Sequence, residues 1–179
     1  MEALGYKIIS VTGDGFGGIK QAFSGIPYQM CLVHMERIVT RGTTLTPQTK
    51  AGEILLLLAK SLHHTKRNDF NRRLYEYFRR YRSFLNERTT HPDGTWSWTH
   101  EDLRRAALSL DARRPDLFTY EKHSGIPKTT NSLEGHFSHV RDIMDIHRGL
   151  SRVHKEKILN TIFHASSIAP TKKILKEIL

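Results

Sequence analysis

A single cysteine, Cys31, stands in a chain of 179 residues. One thiol excludes an internal disulfide and fits a reducing compartment. Cys31 and the nearby His34 are too few for a closed zinc site, which takes four ligands. Long hydrophobic runs are also scarce. The longest purely aliphatic run, Ile54 to Ala59, is far too short to span a bilayer. The opening "MEALGYKIIS" has no basic stretch leading into an apolar one, so no secretory signal is read there. No internal repeat or low-complexity tract stands out. These absences predict a cytoplasmic protein with no membrane partner.

Acidic residues are in deficit. The chain holds 18 Asp and Glu against 28 Lys and Arg, a formal charge of +10 and a pI near 9.9. A surplus this large points to a polyanionic partner, nucleic acid before anionic membrane. The charge is concentrated. Between Lys60 and Arg88 there are nine Lys and Arg against three Asp and Glu. That stretch is either a solvated helix face or a contact surface for nucleic acid.

Periodicity predicts an α/β, mostly helical chain. "YKIISVTGDG" reads as a strand from Tyr6 to Thr12 that ends in a Gly-Asp-Gly turn. "FGGIKQAFSG" reads as a short helix, and "YQMCLVH" from Tyr28 as a second strand. Strand, helix, strand favours parallel pairing. The middle changes character. "PQTKAGEILLLLAKSLHH" is helical, with Pro47 near its first turn. In "NDFNRRLYEYFRRYRSFLNER", Phe70, Leu74, Tyr77, Phe78, Tyr81 and Leu85 share one helix face, and arginines fill the other. "RTTHPDGTWSWT" reads as a turn-rich connection, and "THEDLRRAALSL" as a helix capped by Thr99. A further helix is expected from Asn131 to His147, its apolar face made by Leu133, Phe137, Val140 and Met144. Gly149 follows as its C-terminal glycine. Ser151 caps a last helix to about Ser166, and "TKKILKEIL" continues in helical pattern.

Two carboxylates invite a functional reading. Asp14 closes the first strand between two glycines. Carboxyl ends of strands in α/β folds open into the ligand crevice, but an Asp-Gly pair is also common turn chemistry. Glu134, in "KTTNSLEGHF", lies three residues after Asn131. It is either the acidic half of a capping box or a metal ligand.

"SVTGDGFGGIKQAF", then "YQMCLVHMERIVTR", then "IPKTTNSLEGHFSHVRDIMDIHRGLS" together resemble the mutator-type bacterial insertion-sequence transposases of the DDE class. The resemblance spans nearly the whole chain, and "TTNSLEG" with the downstream "HRGL" is its most specific part. It implies a ribonuclease H-like core in which two Asp and one Glu bind two Mg²⁺ or Mn²⁺ ions. Asp14 matches the second Asp and Glu134 the Glu. Such enzymes cut and join DNA by in-line displacement at phosphorus, which paired metal ions promote. The family also implies a helical insertion between core elements. On that basis 1–38 is expected to be part of the core and 39–125 an all-α insertion. Residues 126–150 would carry the Glu helix, and 151–179 the C-terminal helices. No counterpart of the family's first Asp precedes Asp14, where Glu2 is the sole acid. The expectation is therefore a C-terminal part of a transposase, inactive alone and oligomeric on DNA when whole. The second expectation is a non-catalytic, basic DNA-binding module derived from a transposase. A purely structural helical protein leaves the charge and the wide-spaced motifs without an explanation.

Other residues keep two readings. The arginines Arg72, Arg73, Arg79 and Arg80 are candidates for DNA-backbone contact, which gives affinity without reading sequence. Arg141, two turns after Glu134, and His147 with Arg148 in "HRGL" are candidates for phosphate binding or for a plain surface and cap. Cys31 and His34 match a C-x-x-H pair of the family. Cys31 reads as packing and His34 as a residue near DNA. His136 and His139 are a metal pair or a solvated face. Trp96 and Trp98 either pack the insertion or stack on an extruded base.

Overall fold

The computed structural model describes residues 7–146 and 149–168, the last four by backbone only. Glu2, His147, Arg148 and the "TKKILKEIL" tail lie outside the described residues. The chain forms two compact units, Met1–Thr130 and Asn131–Leu179, so the sequence boundaries at 38 and 125 both fall inside the first. The described residues are mostly helical with four short strands. None of their helices is long and apolar enough to cross a membrane.

In the first unit, β1 (Val11–Gly13) pairs in parallel with β2 (Tyr28–Met30), and α1 (Gly17–Ala22) lies on the crossover between them. The register sets Val11 opposite Tyr28 and Gly13 opposite Met30. Against the Tyr6–Thr12 expectation, Lys7 to Ser10 belong to no strand, and Tyr6 lies outside the described residues. The second strand is shorter too. The backbone turns at Cys31, and α2 (Leu32–Thr43) takes Leu32 to His34 into its first turn. A short apolar run does not by itself distinguish strand from helix.

The helical body adds α3 (Lys50–Ser61), α4 (Arg67–Leu85) and α5 (Glu101–Arg113), followed by two single-turn 3₁₀ helices at Arg114–Asp116 and Thr119–Glu121. Thr49 caps α3 by accepting the Gly52 amide at 3.1 Å, which leaves Pro47 ahead of the first turn rather than in it. In α4 the predicted face is buried: Phe70, Leu74, Tyr77 and Leu85 enter the core, and Phe78, Tyr81 and Phe84 pack at its edge. Each large side chain removed from water contributes roughly 1.5–3 kcal/mol.

The stretch 39–125, expected to be all-α, also carries two strands. β3 (Arg88–Thr90) and β4 (Trp96–Trp98) form an antiparallel hairpin across the "HPDG" turn. Asp93 closes that turn by accepting the Thr95 amide at 2.9 Å, and Gly94 takes a φ of 82°. The cap of α5 differs from expectation for the same reason. Thr99 bonds Thr89 across the hairpin at 2.8 Å, and His100 occupies the position before the helix.

The second unit is described by itself. α6 (Asn131–Ile146) packs on α7 (Arg152–Ile168) through Val140, Ile143 and Ile162, with Met144, Ile158 and Leu159 around them. Leu133 and Phe137, expected on the buried face, are exposed. Ser151 precedes α7, and its hydroxyl meets His154 Nδ1 at 2.8 Å.

The crossing of α2 on α5 is close because Gly42 has no side chain there. A Cβ at Gly42 would stand 2.6 Å from the Asp102 carbonyl oxygen and 2.7 Å from Ala106 Cβ. Gly42→Ala is expected to destabilise the chain by about 1–3 kcal/mol, despite the higher helix propensity of alanine. Gly17→Ala, at an open helix position, is expected to be neutral or slightly stabilising. Thermal unfolding of both variants beside the parent checks the contrast.

Candidate functional site

Asp14 lies at the carboxyl end of β1, with its side chain in solvent. Its Oδ1 accepts the Phe16 amide at 3.0 Å, the bond of an Asx turn. The turn is braced from below. Gly15 donates its amide to the Tyr28 hydroxyl at 3.0 Å, and takes a φ of 94° that only glycine holds without strain. Burial raises the pKa of the Tyr28 hydroxyl, and the nearby Asp14 adds to the effect. The Arg113 side chain packs on the same turn: a Cβ at Gly15 would fall 2.9 Å from its Nε. Arg113 was not singled out in the sequence, because its approach depends on the fold of α5.

Parts of three sequence segments within the first unit meet here. Cys31 donates its amide to the Gly13 carbonyl at 2.7 Å, which fixes the start of α2 to the end of β1. Thr12 Oγ1 donates to the Pro127 carbonyl at 3.0 Å, and Leu32 donates its amide to the Lys128 carbonyl at 3.0 Å. The Thr130 amide and hydroxyl both reach Cys31 Sγ at 3.4 Å. Residues 99 apart in sequence are thereby brought together at one strand end.

Cys31 is fully buried, and its thiol is a hub rather than only packing. Burial pushes the thiol pKa up, but hydrogen bonds from Thr130 and His34 together outweigh it and hold it below the usual value. His34 is half-buried in the first turn of α2, beside this thiol. A sulfur near a helix N-terminus is also favoured as thiolate.

Glu134 belongs to the second unit. α6 begins at Asn131 itself, so Asn131 is its first residue rather than the preceding cap. Glu134 is half-buried in the first turn, where an acid is favoured by the helix dipole. Arg141 is exposed further along the same helix, and His136 rests 6.1 Å from the Phe163 ring. Asp14 and Glu134 thus fall in different units.

The donor chemistry at Asp14 fits a hard divalent ion, which takes one or two carboxylates and keeps its waters. Among the described residues no three His, Cys, Asp or Glu are gathered as a metal-binding group.

The basic residues divide into two sets. Asp69 pairs with Arg72, and with Arg73 at 2.7 Å, so these two charges are partly neutralised. The Arg72 hydrogen bond holds the Asp69 carboxyl below its ordinary range. Arg79 and Arg80 have no carboxylate partner among the described residues, and Arg80 lies 5.6 Å over the Tyr81 ring. Arg82, Arg88 and Arg104 complete the basic surface and were not distinguished in the sequence. Arg82 was detectable at three residues beyond Arg79, but Arg104 reaches the same place from another helix. Trp96 and Trp98 neither pack a core nor stand alone. Trp96 is 50% exposed, and Arg88 sits 4.0 Å over its ring and 4.9 Å over that of Trp98.

Comparison of the chain with family models, with curated proteins and with solved structures finds no match.

The folded pKa of Cys31 lies below its unfolded value of about 9.0. The unfolded chain therefore binds the proton more tightly, and stability rises with pH in the window just below 9.0. That contribution is lost as pH falls through the folded pKa. Urea midpoints measured at stepped pH are expected to show this slope in the parent, and Cys31→Ser is expected to lack it.

Proposed function

We propose that this chain is a portion of a DDE-type DNA transposase with a ribonuclease H-like core, bound to DNA through its basic helical body. One observation carries the reading. The Asp14 turn, the Cys31-x-x-His34 pair and the Lys128–Thr130 segment are far apart in sequence but meet at the end of β1. In this reading Asp14 supplies carboxylate oxygen at the mouth of the parallel pair, and Glu134 is the second acid. Bound Mg²⁺ or Mn²⁺ would activate the attacking oxygen and stabilise the leaving one. Arg113, against the Asp14 turn, offsets phosphate charge beside that carboxylate. Arg79 and Arg80 contribute backbone affinity, whereas Arg72 and Arg73 contribute less because Asp69 competes for them. The cellular setting is the bacterial nucleoid, with the working form a homo-oligomer on DNA.

The net charge of +10, with Arg79 and Arg80 exposed on α4, also supports a second reading, a transposase-derived module that binds DNA without cutting it. Two measurements separate the readings. Under the first, Mn²⁺ broadens the amide NMR signals of Gly15 and Phe16, and Asp14→Asn removes the broadening. Undisturbed signals with DNA binding intact would favour the second. Under both, Arg79→Ala and Arg80→Ala each reduce the slope of log affinity against log salt by about 0.9 on duplex DNA. Arg72→Ala is expected to change it less.

A further inference from the structure

A cleft of about 570 Å³ opens between α4 and α5, within the roughly 300–1,000 Å³ range of small-ligand sites. Tyr75, Phe78 and Leu108 supply aromatic and apolar surface, and Arg79, Arg82 and Arg104 line the same space. No acidic side chain lines it. Tyr75 is 69% exposed, so its ring face is open to a ligand.

Arg104 is held in place before any ligand arrives. Its guanidinium lies 4.1 Å over the Trp98 ring, and its Nε donates to Asn86 Oδ1 at 3.3 Å. Asn86 is itself fixed, donating Nδ2 to the Arg82 carbonyl at 2.9 Å. A guanidinium immobilised by stacking loses little freedom on meeting a phosphate. Arg79 and Arg82 have no carboxylate partner among the described residues, so their charge is not cancelled nearby.

Three guanidiniums beside exposed aromatic surface suit a ligand that is both anionic and flat. An acidic peptide supplies the charge without the π face. Duplex DNA supplies the charge with its base faces already stacked. We propose that this cleft holds an unpaired nucleotide of a DNA strand, with the base on Tyr75 and Phe78 and the phosphates at Arg79, Arg82 and Arg104. This rests on the reading that the basic helical body contacts DNA, and adds that the contacted DNA is locally single-stranded. The Trp98 ring then serves to aim Arg104, not to stack on the base.

The test uses the whole chain and fluorescence anisotropy with three DNA probes, a labelled dT12 strand, the same strand with all sites abasic and a 12-base-pair duplex, and two competitors, dTMP and an acidic peptide of equal charge. The expected result is dT12 bound at least about fivefold more tightly than the abasic strand of equal charge. Tyr75→Ala, at an exposed ring outside the core, should weaken dT12 about fivefold or more and leave the abasic strand unchanged. Arg104→Ala should weaken both strands. Trp98→Phe, which keeps a ring under Arg104, should restore most of the affinity lost in Trp98→Ala.

Equal affinity for dT12 and the abasic strand, or an unaffected Tyr75→Ala, overturns the proposal. If duplex binding persists in that case, the DNA-binding reading stands and only the cleft assignment fails. Binding to none of the DNA probes overturns both. Displacement of dT12 by dTMP at equal nucleotide concentration would reassign the cleft to free nucleotides. Displacement by an acidic peptide of equal charge would reassign it to a protein partner.

Discussion

One buried amide, Gln29, joins the strand pair to the helical body. The side chain is fully buried in β2, between two apolar neighbours. Its Nε2 donates to the Leu117 carbonyl at 2.9 Å and to the Met30 carbonyl at 2.7 Å, and its Oε1 accepts the Tyr120 amide at 3.1 Å. A two-stranded sheet three residues deep is not stable alone. It persists here because Gln29 satisfies the chain that leaves α5, and because Thr119 adds a bond to the Tyr28 carbonyl at 2.7 Å. An unmade bond at such a site costs about 1–3 kcal/mol. Everything at the end of β1 depends on this arrangement, including the Tyr28 hydroxyl under the Asp14 turn.

The strand end and the basic helices have different physical characters. Around Asp14 the backbone is tightly specified by hydrogen bonds from Gly15, Phe16 and Cys31. Rigidity of this kind holds a carboxylate in a fixed direction. The α4 surface has little of it. Its arginines project from a helix whose other face is anchored by Phe70, Leu74 and Tyr77, so a stable helix carries an exposed layer of charge. Arg104 combines the two characters, since Trp98 and Asn86 fix a cation that belongs to that layer, and Arg88 is stacked likewise on Trp96.

Much of this was legible in the sequence. The 3.6-residue pattern of α4 was strong enough to give its buried face almost residue for residue, and a glycine-flanked Asp after an apolar run placed the β1 turn. The misreadings share a cause. "YQMCLVH" is apolar apart from Gln29 and His34, so nothing local marked the switch from strand to helix at Cys31. The hairpin was hidden because its strands are three residues long and mostly exposed, which removes the alternation that burial imposes on a strand. Thr99 looked like a cap by residue type, yet its hydroxyl was taken by Thr89, a partner visible only once the hairpin exists. The convergence of Arg79, Arg82 and Arg104 is a property of how α4 and α5 pack. No spacing rule along one chain segment encodes it.

The bond between the Leu32 amide and the Lys128 carbonyl has a topological meaning. The intervening stretch leaves the strand pair and returns to within one hydrogen bond of its departure point. It is a closed excursion, anchored at its base. Closing a longer loop costs little more than closing a shorter one, since the entropy grows only with the logarithm of length. The length of this lobe can therefore vary at little entropic cost, provided Leu117 and Tyr120 keep their bonds to Gln29. The ends are fixed by the base and the content is set by the lobe, as in a socket that accepts different fittings.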